Sequence, residues 1–130
     1  MRLIIALLRR RLDPDGRVHV LLSSEDAELG SYFDAMGAVG STDMDFDTGN
    51  VYVKIHDAGG ATPGTWLEEL AHAVQFLKYG NVALSVDQTE RRERELEVAG
   101  CLALNAGRFG LSDGDMMHIA QALGFYGQAA

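Results

Sequence analysis

Two carboxylates and an imidazole, Glu68, Glu69 and His72, are the residues whose types and spacing bear most directly on chemistry. In a helix, positions four apart stack on adjacent turns, so Glu68 and His72 can reach one ion. Glu69, one step further round, falls beside that ion rather than under it. This is the layout of His-Glu-x-x-His, in which two histidines bind zinc and the glutamate is the general base. Here a glutamate stands in place of the first histidine. A third donor has to come from a neighbouring helix. Over 89–108, Ala99, Leu102, Ala106 and Phe109 form an apolar stripe, and Glu95 lies on it one turn before Ala99. Glu90, Glu93, Arg94 and Glu97 point elsewhere and read as solvated charge. A single carboxylate on a buried stripe needs a partner, because an unpaired buried charge is very costly. His72, or a metal beside it, is the available one. Glu68, His72 and Glu95 are therefore candidate metal ligands, and Glu69 is the candidate base.

Two carboxylates and one imidazole neutralise a divalent zinc, so a water there is less acidified than at a site with two histidines. Oxygen-rich ligation also brings manganese and iron into consideration after zinc. The metal-free alternative is a network in which His72, protonated, sits between carboxylates and bonds Gln75. Three carboxylates around one imidazole cannot all stay ionised cheaply, so at least one should have a raised pKa.

The element that must position this group is a helix over 65–79, TWLEELAHAVQFLKY. At ~100° per residue, Glu68, Glu69, His72, Gln75, Phe76 and Tyr79 share one side, and Trp66, Leu70, Ala73, Val74 and Leu77 the other. Only Lys78 resembles an ordinary solvent residue. A surface helix would mix both signs of charge, so this one is expected to be buried on most sides, with Gln75 and Tyr79 as further residues lining its polar site. Thr65 reads as its N-cap, after the flexible lead-in 58–64.

Elsewhere the chain reads as a helix over 2–12, a turn at Asp13-Pro14-Asp15-Gly16 and a strand over 17–23 with Val18, Val20 and Leu22 on one face. His19 is on the opposite, solvent face. A short helix over 25–36 follows, capped by Ser24, with Leu29, Tyr32, Phe33 and Met36 as its apolar stripe. Segments 38–46 and 50–56 make a hairpin across Asp47-Thr48-Gly49. Asp43, Asp45, Asp47 and Gly49 depart from a calcium loop, because the glycine comes one place late and the terminal glutamate is missing. Residues 81–87 read as a loop, 89–108 as a long helix, and 112–125 as a last helix with Ser112 and Asp115 as its capping pair. The expected fold is one α+β domain spanning 1–130, a small antiparallel sheet packed on helices with the motif helix central.

The length of 130 residues suits one domain and one core. A net charge of −8 argues against nucleic-acid binding, which calls for a basic face. Glu25, Asp26, Glu28, Asp34, Asp43, Asp45 and Asp47 form an acidic surface with no Lys or Arg between them. The lone Cys101 makes no internal disulfide, fits a reducing compartment and reads as a buried small hydrophobe. The apolar run Leu3–Leu8 is too short for a signal peptide or a membrane span, and no small-residue cleavage site follows it.

At the central motif the chain resembles the zincin-like metallopeptidase toxin domains found at the C-termini of bacterial polymorphic toxins. The matching pieces are YFDAMGAVGSTD, the hairpin DTGNVYVKI, then TWLEELAHAVQFLKYG and ERELEVAGCLALNAGRFGLS, together covering about residues 17 to 126. The resemblance implies a minimal zincin fold and a peptidase toxin acting on protein or peptide. It implies a cytoplasmic site of action, within the cell or after delivery into a target cell as part of a larger toxin, and a cognate immunity protein. His72 and Glu95 become metal ligands and Glu69 the base, while Glu68 stands where many zincins carry a histidine.

Two kinds of function follow. One is a metal-dependent peptidase in which Glu69 takes the proton of the attacking water. Its substrate lies along the arm 50–56 by strand addition, and Tyr79, His56 or His118 is a candidate oxyanion helper. His118 otherwise reads as a partly buried structural histidine. The other is a zincin-shaped protein-binding module without catalysis, docking a basic partner through the acidic surface. An acidic immunity or regulatory protein is a weaker third.

Overall fold

The computed structural model describes residues 1–80 and 88–127. Among them are six α-helices and one three-stranded sheet, giving an α+β fold. In chain order these are α1 (Arg2–Arg11), β1 (Val18–Leu22), α2 (Ala27–Met36), β2 (Gly40–Met44), β3 (Val51–Ile55), α3 (Pro63–Tyr79), α4 (Gln88–Leu104), α5 (Ala106–Phe109) and α6 (Asp113–Gly127). The expected loop 81–87 lies outside the described residues.

The sheet is mixed rather than antiparallel, with strand order β1-β3-β2. β3 pairs with β2 antiparallel as the hairpin requires, but it also pairs parallel with β1, Val18 beside Val51 and Leu22 beside Ile55. The arm 50–56 is therefore the middle strand. Its backbone groups are taken on both sides, so a peptide cannot add there. Among the described residues, β2 is the edge strand on the hairpin side. Val39 and Asp45 bond His56 and Asn50, which flank β3, through their backbones. Antiparallel alternation then turns the backbone groups of Gly40, Thr42 and Met44 outward.

Alternation in β3 sends Val51, Val53 and Ile55 into the core with no exposed surface, against Leu70, Ala73 and Phe76 of α3. Phe76 thus belongs to the sheet side of α3 and not to its polar side. A second core of Leu67, Val98, Ala99, Leu102 and Ile119 forms where α3 meets α4 and α6. α3 is consequently covered from two directions, and between Gly64 and Tyr79 only Lys78 is exposed.

Local chemistry moves several boundaries. The cap of α3 is Thr62, with Pro63 at the first helical position, and Thr65 is its reciprocal partner three residues on. Ser24 does not cap α2. Ser23 and Ser24 are bound to the Asp57 carboxylate and enter a 3-10 turn, and Asp26 accepts from the backbone of Glu28 and Leu29 instead. Only Phe33 of the α2 stripe is buried, while Tyr32 and Met36 are exposed. Cys101 also faces outward. The helix expected over 89–108 stops at Leu104, and α5 follows Asn105. The capping pair Ser112–Asp115 forms as expected, each side chain taking the other's backbone N–H.

Candidate metal centre

α3 delivers Glu68 and His72 from adjacent turns, and α4 brings Glu95 across to them. One ligand atom from each, a nitrogen and two oxygens, lies within 4.8 Å of the others. His72 Nε2 lies 3.4 Å from Glu95 Oε2. The donor set fits a divalent ion. Its two carboxylates balance the charge, and its single imidazole turns Nε2 toward Glu95.

That nitrogen is fixed by Gln75. The Gln75 amide N–H donates to Arg94 O and Glu97 Oε1, both at 3.0 Å, so its oxygen must face His72 Nδ1, 2.9 Å away. Nδ1 then carries the proton and Nε2 is left toward Glu95. Gln75 is therefore a buried support behind His72 rather than a residue lining the open site. Tyr79 also turns away, with its hydroxyl 3.4 Å from Glu97 Oε2 and the Arg94 guanidinium over its ring. Glu97 and Arg94, expected to be solvated, are thus the outer layer of this network. No periodicity argument finds them, because Gln75 reaches them across a helix–helix contact.

Glu69 sits on the border between the sheet side and the polar side of α3. Thr42 of β2 donates to its backbone oxygen at 3.0 Å and lies 3.3 Å from its carboxylate. Gly40 is needed beside it, since a Cβ there would come within 2.9 Å of both Glu69 Cγ and Thr65 Cγ2. Glu68 and Glu69 open into one cleft of about 450 Å³, walled by 37–40 before and along β2 and by α6. Burial pushes the Glu69 carboxyl up to about 7, further raised by Glu68 and Glu95 and opposed by His72. This is the raised carboxyl that crowding three acids round one imidazole demands. For His72, burial is the largest influence and works downward. The bond and charge of Glu95, with Glu69 and Gln75, outweigh it and raise the imidazole to about 9. Burial likewise presses Glu95 upward, but His72, Arg91 and His118 together hold it below the usual carboxylate range.

His118 of α6 lines the same cleft, with Nε2 3.3 Å from Glu68 Oε2. Its side chain is 66% exposed, so it is not the partly buried structural histidine that its Met- and Ala-rich helix suggests. His56 is buried, bonded to Ser23 and Asp34 and stacked on Phe33, which leaves both its nitrogens engaged away from the cleft. Two aspartates of the hairpin are engaged locally. Asp43 pairs with Lys54, and Asp45 closes the turn.

α6 is held to α3 at the mouth of the cleft. Asp115 accepts from the Thr62 hydroxyl, and Gly64 leaves room for it, since a Cβ at Gly64 would collide with the Asp115 side chain.

No family model, curated protein or solved structure matches this chain. Among the described residues, no helix is long and apolar enough to cross a membrane.

Proposed function

We propose that this chain is a zincin-like, metal-dependent peptidase of the polymorphic-toxin kind, with Glu68, His72 and Glu95 holding a divalent metal, zinc first, and Glu69 as general base. One observation carries the reading: three donor atoms converge from two helices within 4.8 Å, and the adjacent Glu69 opens with Glu68 into the same cleft. Bound there, the metal supplies a Lewis acid for a carbonyl and lowers the pKa of water.

The chain's own residues do the rest. Gln75 holds His72 in the tautomer that frees Nε2. Glu69, which opens with Glu68 into the cleft beside the donors, is placed to accept a proton from the attacking water and return it to the departing amine. The outward backbone groups of Gly40, Thr42 and Met44 offer a strand edge along which an extended peptide can lie. A cognate immunity protein would then need to cover this cleft. The test is digestion of an unstructured protein such as casein with zinc present. Glu69→Gln should keep the metal and lose cleavage, whereas unchanged cleavage contradicts the mechanism.

A second reading, a binding module without catalysis, is favoured by one feature. Glu95, His72, Gln75 and Glu97 form a continuous polar chain that needs no ion to satisfy it. It predicts that no metal is retained after dialysis against zinc.

A further inference from the structure

We propose that α1 is a docking surface for an anionic phospholipid bilayer, lying flat among the headgroups with its arginines on lipid phosphates. This does not depend on the metal-centre reading above.

Its basis is a short helix that is apolar on both sides. Ile4, Ile5 and Leu8 pack inward on the core. Leu3 and Leu7, one residue before Ile4 and Leu8, point outward at 72% and 47% exposure, and Leu12 follows at 54%. Folding needs only the inner set, because one apolar stripe seats a surface helix. The outer leucines stand in water. Beside them a groove of about 370 Å³ runs between α1, α3 and α4, with Leu7, Leu12, Val74, Cys101 and Phe109 among its walls. The apolar surface therefore extends beyond the helix itself.

Charge selects the partner. Arg2, Arg9, Arg10 and Arg11 are exposed and make no ion pair among the described residues. All 19 acidic residues come later in the chain, from Asp13 onward. The stretch 1–12 thus carries +4 of a net −8, which leaves −12 for the remainder. The helix dipole favours cations in a last turn, but it gives no reason for leucines facing water beside them. A bilayer surface accounts for both. Its acyl region takes the leucines, and the long arginine stems reach back to the phosphates. With 10 residues, α1 is about 15 Å long, half the ~30 Å hydrocarbon thickness, so it lies on the surface rather than crossing it. A two-fold contact between copies of α1 would set arginine against arginine. A head-to-tail contact with the acidic α2 of another copy would propagate as open chains.

The experiment is co-sedimentation of the full chain with vesicles of phosphatidylcholine alone and of phosphatidylcholine mixed equally with phosphatidylglycerol. Wild type is compared with Leu3→Gln and with the triple variant Arg9→Gln/Arg10→Gln/Arg11→Gln, all at exposed positions, each checked for folding by circular dichroism. Wild type should bind the anionic vesicles, ignore the neutral ones and be released by salt. The triple variant should bind about a hundredfold more weakly, at about fivefold for each cation lost. Leu3→Gln should bind several-fold more weakly at unchanged charge, which separates insertion from long-range attraction. Failure of wild type to bind anionic vesicles at low salt, or wild-type binding by either variant, overturns the proposal. So does self-association of wild type in sedimentation velocity that either variant abolishes, because a second copy then covers this face.

Discussion

Gln75 holds His72 by its Nδ1 nitrogen at 2.9 Å, and this one bond decides which nitrogen of the imidazole faces Glu95. The amide cannot be turned round, because its N–H groups are committed to Arg94 O and Glu97. Gln75→Ala should therefore loosen zinc about 10–100-fold. It should also cost roughly 1–3 kcal/mol of stability, since the buried imidazole nitrogen loses its partner. Chelator competition reads the first effect and denaturant titration the second. Unchanged affinity would detach Gln75 from the site.

Zinc uptake should release a proton. In the metal-free protein the His72 pKa is raised from 6.5 to about 9, so between those values the folded imidazole is protonated and a metal must displace that proton. The same shift carries a stability term, fully present below about 6.5 and lost as pH rises through about 9. Calorimetry in buffers of different ionisation enthalpy should count about one proton per metal near pH 7.5, falling towards zero above pH 9.

Glu69→Gln should stabilise the metal-free protein at alkaline pH. The carboxyl is raised from 4.5 to about 7, so the stability it contributes as a neutral acid is full below 4.5 and lost as pH rises through about 7. A neutral amide of the same shape avoids that loss, which is on the order of 3 kcal/mol. Thermal melts of both proteins with chelator present should coincide near pH 4.5 and separate, the variant being higher, by pH 8. Parallel melts across the whole range would contradict the buried, raised carboxyl.

Gly40→Ala should disturb Glu69 without touching the metal donors. The added methyl meets Glu69 Cγ and Thr65 Cγ2 at 2.9 Å, so these two side chains must shift. A cost of about 1–3 kcal/mol is expected. Zinc affinity should be kept while casein cleavage falls. Full cleavage by a stably folded variant would show that the position of Glu69 is not critical.

The polar stripe of α3 is legible in the sequence because a helix stacks residues four apart, and Glu95 because a lone carboxylate interrupts an apolar stripe. The hairpin is legible from the alternation of Val51, Val53 and Ile55 around a Gly49 turn. The same alternation cannot say whether β3 lies at an edge or in the middle, since burial of one face is identical in both. Its pairing with β1 joins residues more than thirty positions apart and leaves no local pattern. Cys101 and His118 escaped for a related reason. An apolar helix does not reveal which of its faces lacks a neighbour. Thr62 was recoverable, because a threonine followed by proline is itself a helix start.

Elemental analysis after dialysis against zinc, with wild type beside His72→Ala, tests most directly whether Glu68, His72 and Glu95 hold a divalent ion. About one zinc per chain in wild type and none in the folded variant is the predicted result. A wild-type protein that retains no metal, or a His72→Ala variant that retains as much, would contradict it.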